Sequence, residues 1–183
     1  MIDGAAPATA FVVAVPEADP LVAVLRSRFD PSATAGMPAH ITVLYPFMPA
    51  AQVTPEVLAR AADALQGLEP FQFLLARVGR FPGVLYLAPE PAAPFVALTE
   101  ALVRAFPAFP PFGGVHDGIV PHLTVAQGDE PTMQQAAAEL HAGLSVRGPI
   151  AAPCRELYLL QNSSGRWCEW QRLPLRSKGT PAP

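Results

Sequence analysis

Two short segments, PAHITVLYPF and PHLTV, repeat one arrangement: a proline is closely followed by histidine, an aliphatic residue, threonine and valine. Alternate residues of a β-strand point to the same face, so His40 and Thr42 project together, as do His122 and Thr124. Their aliphatic neighbours point to the opposite face, where helices can bury them. The polar pairs must line a solvated surface, because a buried imidazole or hydroxyl needs hydrogen-bond partners.

The secondary-structure signals around the two motifs repeat as well. Their order is strand, helix, motif strand, helix and strand pair, and then helix, motif strand, helix and strand pair. His40 and His122 are 82 positions apart in a chain of 183 residues, which is close to half its length. This duplication predicts an α+β fold with two lobes related by a pseudo-twofold axis, in which two mainly antiparallel sheets face a central groove and the helices lie outside. We expect one two-lobed domain over residues 1–175 and a flexible tail over 176–183.

Several segments carry clear local signals. TPEVLARAADALQGL has a threonine cap and an early proline, and together with PFVALTEALVRAFP and EPTMQQAAAELHAGL it predicts a helix. FQFLLARVGRFPGVLYLAPEP alternates and is interrupted at RFPG, which predicts a β-hairpin. CRELYLLQNSSGRWCEWQRLPL predicts two closing strands around the turn NSSG.

The composition limits the classes of partner. Half of the residues are hydrophobic, and the formal net charge is −3, which argues against a surface that binds long nucleic acid by neutralising phosphates. No apolar run approaches the length of a membrane span, and the N-terminus does not resemble a signal peptide, so we expect a cytoplasmic, monomeric protein. Cys154 and Cys168 lack metal-binding spacing, and we expect reduced thiols rather than a disulfide.

The two motifs together suit a phosphate ester. Independent placement of residues would give roughly 0.17 His-x-Thr triplets in such a chain, and two are present. Across a pseudo-twofold groove, one imidazole of His40 and His122 can act as base while the other, protonated, acts as acid. The hydroxyls of Thr42 and Thr124 can donate hydrogen bonds to phosphoryl oxygens. Such a set can displace a leaving group at phosphorus without a metal, and a strained cyclic phosphodiester is the natural substrate.

These segments carry a family resemblance. HITV, HLTV and the hairpin segment VGRFPGVLYL resemble the two-histidine phosphoesterase superfamily, in particular its bacterial 2′-5′ RNA ligase and cyclic phosphodiesterase-like branch. The resemblance covers about positions 8 to 175. It implies a bilobal α+β fold, no required metal or other cofactor, and a cyclic phosphodiesterase acting on 2′,3′-cyclic phosphates or 2′-5′ phosphodiesters of nucleotides or short oligonucleotides. It assigns catalysis to His40 and His122 and phosphate binding to Thr42 and Thr124.

The chain departs from the pattern at one position. RNA-acting members of the superfamily often have an arginine three residues after the second threonine, where this chain has Gln127. A glutamine can hydrogen-bond a phosphate but brings no charge, which puts RNA in doubt as the substrate. Two further residues are candidates for substrate binding: Tyr45, which shares a predicted strand face with core residues, and Arg80, at the predicted hairpin tip. Trp167 could form a base platform, although core packing is the expected role.

Alternatives remain open from the sequence. The same groove could bind a nucleotide or phosphate without chemistry, as a sensor. His116 and Asp117 precede the second motif and could bind a metal together with His122, although a solvent-exposed loop is the expected state. The chain could also join 2′-5′ RNA ends by the reverse reaction. His141 is expected on a helix surface.

Overall fold

Each motif strand lies at the edge of a four-stranded antiparallel sheet. The computed structural model describes residues 8–114 and 118–176. The strands are β1 (Thr9–Ala14), β2 (His40–Leu44), β3 (Phe71–Phe81), β4 (Val84–Glu90), β5 (Leu123–Gln127), β6 (Ile150–Cys154), β7 (Glu156–Gln161) and β8 (Cys168–Pro174). The first sheet has the order β2-β1-β7-β8 and the second the order β5-β4-β3-β6. The predicted α+β duplication is therefore confirmed.

The two motif strands share an irregularity that strengthens the pseudo-twofold relation. Thr42 pairs with Val12 of β1, and Thr124 pairs with Tyr86 of β4. In both ladders the pairing shifts by one residue directly after the threonine, so the following valine is the extra residue of a β-bulge. A bulge bends its strand and re-aims the side chains beside it. The same device therefore shapes both strands where they present histidine and threonine.

The helices cover the faces of the sheets that point away from the groove. They are α1 (Asp19–Phe29), α2 (Pro31–Thr34), α3 (Pro55–Ala64), α4 (Ala93–Ala105) and α5 (Glu130–Arg147). Helix α1 packs against β5 and α5, and α4 packs against β2 and α3. The Thr54 hydroxyl accepts a hydrogen bond from the Val57 N–H at 3.4 Å, and the Asp129 carboxylate accepts one from Thr132 N–H at 3.0 Å. These side chains satisfy amide groups that a helix start leaves free.

One hydrophobic core joins both halves of the molecule. It combines aliphatic residues of the motif strands, Ile41 and Leu123, with Leu85 and Leu87 of β4 and Phe95 of α4, all fully buried. Burial of these side chains is the main force that holds the two lobes in one fold. Within the described residues, no helix is long and apolar enough to span a membrane.

The C-terminal part contains a strand that the sequence did not indicate. Segment IAAPC forms β6 and pairs with the first half of β3, whereas two closing strands alone were predicted. Its alanines and Pro153 give little β-propensity, and its edge position tolerates a proline. Cys154 in β6 is buried and Cys168 in β8 is exposed, and both thiols are free, as predicted. Apart from Arg176, the predicted tail lies outside the described residues.

Candidate active site

The two motif histidines are held in the same way. Nδ1 of His40 lies 2.8 Å from the carbonyl oxygen of Pro38, and Nδ1 of His122 lies 2.7 Å from that of Val120. A carbonyl oxygen only accepts, so Nδ1 carries the proton and Nε2 is the basic nitrogen of each neutral imidazole. Each carbonyl belongs to the residue two positions earlier, so the sequence around each motif orients its own histidine.

The strands β2 and β5 lie next to each other and bring the motifs together. A small pocket between them is lined by Thr42 and His122, with Phe112 and Val120 at its side. Thr42 and Thr124 are half-buried, and neither hydroxyl makes a hydrogen bond with another side chain or backbone group in the part of the chain that the structure describes. Both hydroxyls therefore retain the capacity to donate to a ligand.

Both imidazoles are harder to protonate than a histidine in water. The pKa of His40 is lowered to about 4, chiefly by burial and also by the positive charges of Arg26 and of a protonated His122, while the Pro38 carbonyl and the Asp30 carboxylate act in the opposite direction. Burial also lowers the pKa of His122, which the Val120 carbonyl partly opposes. In the free protein both imidazoles are thus neutral at pH 7. An anion bound between them favours protonation of one imidazole, because opposite charge stabilises the imidazolium form.

Two aromatic rings support His122 from the second sheet. The ring of Phe81 stacks on that of Tyr86 with centroids 4.5 Å apart, and the His122 ring lies 5.1 Å from the first and 5.2 Å from the second. A side chain on Gly79 would overlap the Tyr86 ring, so the glycine is what allows this arrangement. The rings restrict the orientation of His122 and provide a half-buried apolar surface beside it.

The matching face of the first sheet carries paired charges. Thr42, Val12 and Tyr158 are cross-strand neighbours and therefore share that face. The Tyr158 hydroxyl donates to Glu156 at 2.9 Å, and Arg172 donates to the same carboxylate oxygen at 3.3 Å while lying 4.9 Å from the centre of the tyrosine ring. Burial, and then the Glu156 carboxylate, raise the pKa of Tyr158. The wall formed by the first sheet thus carries a carboxylate paired with an arginine, whereas the Phe81 and Tyr86 rings beside His122 are uncharged.

A buried ion pair beside His40 was not predicted from the sequence. The side chains of Arg26 and Asp30 are almost fully buried, and Arg26 Nη2 lies 2.9 Å from Asp30 Oδ2. Arg26 also donates to the Met37 carbonyl at 3.2 Å, in the segment that leads to β2. Gln127 Nε2 donates to Asp30 Oδ1 at 3.2 Å. The pair therefore connects the approach to the first motif with the end of the second, and its only sequence signal was the i, i+4 spacing of opposite charges at the end of a helix.

The remaining predicted site residues take different places. Tyr45 is half-buried and packs edge-on against Trp167, with ring centroids 5.9 Å apart, and Phe47 is in the core. Arg80 pairs with Leu85, a core residue, so it lies on the face opposite Tyr86 and Thr124, and its guanidinium binds Glu130 at 3.2 Å. The structure therefore does not bring Arg80 together with the histidines.

Of the other two histidines, His141 alone lies within the described residues. Nδ1 of His141, on α5, lies 2.7 Å from the Ala137 carbonyl. His116 and Asp117, the candidate metal ligands, lie outside the described residues. Within residues 8–114 and 118–176, no group of three or more His, Cys, Asp or Glu side chains is arranged to hold a metal ion.

Comparisons with known proteins agree on one family. The family model described as the 2′-5′ RNA ligase superfamily matches residues 14–166. TT0787 of Thermus thermophilus superimposes with a TM-score of 0.60 at 18% identity over 93% of this chain and 99% of that chain. LigT of E. coli, in complex with NADP+, gives 0.59 at 18% identity over 94% and 100%. ATU0111 of Agrobacterium tumefaciens gives 0.53 at 17% identity over 93% and 86%. No curated protein sequence matches the chain.

Proposed function

The chain belongs to the 2′-5′ RNA ligase superfamily, and from that premise we propose that it is a phosphodiesterase that hydrolyses 2′,3′-cyclic phosphates of nucleotides or short oligonucleotide ends. The observation that carries the proposal is the matched hydrogen bonding of His40 and His122, which leaves a basic Nε2 on each imidazole. Relatives of known structure include LigT of E. coli in complex with 3′-AMP, a nucleotide of the size that we propose. We expect the protein to act as a cytoplasmic monomer without a cofactor.

The proposed reaction is an in-line displacement at phosphorus. One imidazole takes a proton from water through Nε2, and the water oxygen forms a bond to phosphorus. The bond from phosphorus to one ribose oxygen breaks, and the other imidazole, protonated, gives its proton to that oxygen. The product is a nucleoside monophosphate, and the two histidines end with exchanged protonation states. Either histidine can begin as the base.

The threonines supply the other part of the proposal. Each motif threonine projects on the same strand face as its histidine, and their hydroxyls have no partner within the described residues. Two hydroxyl donors beside a phosphate stabilise the charge that builds on its non-bridging oxygens in the transition state. We therefore propose Thr42 and Thr124 as the phosphate-binding residues. Gln127 and Tyr45 are secondary candidates for substrate binding, because the Gln127 amide binds Asp30 and the Tyr45 ring packs against Trp167.

Ligation is the second candidate, because the matching family model is described by that activity. Joining a 5′-hydroxyl to a 2′,3′-cyclic phosphate uses the same groups, with the hydroxyl in place of water. A third possibility is a sensor that binds the nucleotide without turnover. Hydrolysis is favoured over sensing by the two basic nitrogen atoms, which a binding site alone does not require.

The test uses chelator-treated protein and 2′,3′-cyclic nucleotides, with RNA bearing a cyclic phosphate and a 5′-hydroxyl in a parallel reaction. We expect release of nucleoside monophosphate that is lost in His40→Ala and His122→Ala but retained in His141→Ala. Joined RNA without hydrolysis would support ligation instead. Binding without either product, or activity of both motif variants near wild type, would overturn the proposed mechanism.

A further inference from the structure

Arg77 lies on the groove face of the second sheet. It pairs with Ala88 of β4, and Ala88 is two residues from Tyr86, which pairs with Gly79 and with Thr124. Cross-strand partners and alternate residues share a face, so Arg77 is on the same side as Thr124 and as the aromatic rings that contact His122. The irregular pairing between Leu75 and Arg77 re-aims the strand just before this position.

Arg77 is exposed and unpaired. Its guanidinium makes no ion pair or hydrogen bond with any residue of the described chain. By contrast, Arg80 on the opposite face of β3 binds Glu130, and Arg172 on the other wall of the groove binds Glu156 and Glu169. Unlike these two arginines, Arg77 thus presents a cation without a counter-ion on the His122 side of the groove.

One small residue, Ala88, separates Arg77 from His122 across the sheet. Leu87 pairs with Leu123, so Ala88 lies beside His122 and between it and Arg77 in the same row. Two strand spacings separate the backbones of the outer residues, about 10 Å. Ala88 contributes only a methyl group on this face, and an arginine side chain is long enough to reach across its position. A phosphate held by the histidines and threonines would leave the guanidinium facing the next anionic group of the same ligand.

We propose that Arg77 binds a second phosphate, so that the preferred substrate carries a phosphate besides the cyclic one: a 2′,3′-cyclic nucleotide with a 5′-phosphate, or the end of an oligonucleotide. This inference rests on the proposed function of the site. The phosphates on the two sides of one ribose are separated by a distance of the same order as the Arg77–His122 spacing. A guanidinium binds a phosphate through two parallel hydrogen bonds, which makes it selective for such a group.

The kinetic test compares adenosine 2′,3′-cyclic phosphate with and without a 5′-phosphate. The variants are Arg77→Gln, Arg77→Lys and, as the matched control on the opposite face of the same strand, Arg80→Gln. In the wild type the 5′-phosphate should raise kcat/KM about tenfold. Arg77→Gln should remove that preference and leave the unphosphorylated substrate unaffected. Arg77→Lys should retain part of it, and Arg80→Gln all of it. An equal kcat/KM for the two substrates in the wild type, or a preference that survives in Arg77→Gln, would overturn the inference.

A binding measurement separates this inference from the proposed reaction. Adenosine 3′,5′-bisphosphate and adenosine 3′-monophosphate are titrated by calorimetry, which needs no turnover. Tighter binding of the bisphosphate that Arg77→Gln abolishes would support the subsite even if no substrate were hydrolysed. Equal affinity of the wild type for both ligands would refute the subsite even if cyclic phosphates were hydrolysed. Urea unfolding of Arg77→Gln checks that the fold is unchanged.

Discussion

Gly79 lies directly opposite Tyr86 in the β3–β4 hairpin, and the tyrosine ring occupies the place where a side chain on the glycine would begin. The ring lies across the strand and stacks on Phe81, and both rings contact His122. A glycine in a strand normally weakens it, but an aromatic partner that covers the bare backbone compensates. The absence of one side chain thus sets the position of a proposed catalytic histidine.

Gly79→Ala should therefore reduce both activity and stability. The added methyl group displaces the Tyr86 ring, and His122 loses its lateral contacts. We expect kcat/KM to fall about tenfold, and the free energy of unfolding to fall by about 1–2 kcal/mol, as for other overpacked sites. Steady-state kinetics and urea unfolding measure the two effects. Tyr86→Phe keeps the ring and should retain activity. Unchanged kcat/KM in Gly79→Ala would show that the rings do not position His122.

The pKa values of the two histidines predict the pH dependence of the reaction. Burial lowers the pKa of His122 and lowers that of His40 to about 4, while an unperturbed histidine titrates near 6.5. Above both pKa values no imidazole can act as acid, and below both none can act as base. The profile of kcat/KM should therefore be bell-shaped with its maximum below about pH 6.5.

The profile of kcat provides an internal comparison. Bound phosphate favours the imidazolium form, so the maximum of kcat should lie at higher pH than that of kcat/KM. Both are obtained from initial rates between roughly pH 4 and 9 at constant ionic strength, with circular dichroism to confirm that the protein stays folded. A maximum of kcat/KM above about pH 7.5 would contradict the lowered pKa values.

The motif threonines should contribute to activity without contributing to stability. Valine has the shape of threonine but lacks the hydroxyl, and neither the Thr42 nor the Thr124 hydroxyl forms a hydrogen bond within the described chain. Thr42→Val and Thr124→Val should each lower kcat/KM about tenfold, the value of one hydrogen bond to a charged group. The free energy of unfolding should stay within about 0.5 kcal/mol of the wild type.

Thr54 provides a control, because its hydroxyl should contribute to stability and not to activity. Its hydroxyl caps α3 by accepting from Val57 N–H, and it lies outside the candidate site. Thr54→Val should cost about 1 kcal/mol of stability and leave kcat/KM unchanged. If the motif variants lost stability as Thr54→Val does and retained activity, the two hydroxyls would be structural.

Sequence alone predicted the parts of this protein that depend on local pattern. Strand alternation placed His40 beside Thr42, and the repeat implied the facing sheets. Alternation could not tell which arginine of β3 faces the groove, because the irregular pairing near Arg77 depends on β4. It also could not show that Gln127 turns to Asp30, since that contact joins residues 97 positions apart. Short strand β6 exists because the long β3 offers it a partner.

The buried pair of Arg26 and Asp30 is the contact that we expect to matter most for stability. The two residues are 4% and 2% exposed, and Arg26 Nε lies 3.0 Å from Asp30 Oδ2. Arg26→Met would leave the carboxylate buried without its counter-ion, which costs about 3–5 kcal/mol of the free energy of unfolding. Adding Asp30→Asn to Arg26→Met removes the charge and should restore part of that loss. Urea unfolding measures all variants.

Arg28 is the matched control, since it lies on the same helix and also forms an ion pair. Its guanidinium binds Glu139 at 2.8 Å, but both side chains are about 40% exposed. Water and salt screen such a pair, so Arg28→Met should cost at most about 1 kcal/mol. Equal losses in Arg26→Met and Arg28→Met would mean that burial does not strengthen the first pair. A larger loss in Arg26→Met, with lower activity in the folded variant, would show that this buried pair also supports His40, through its charge or through the Met37 carbonyl contact in the segment that orients the imidazole.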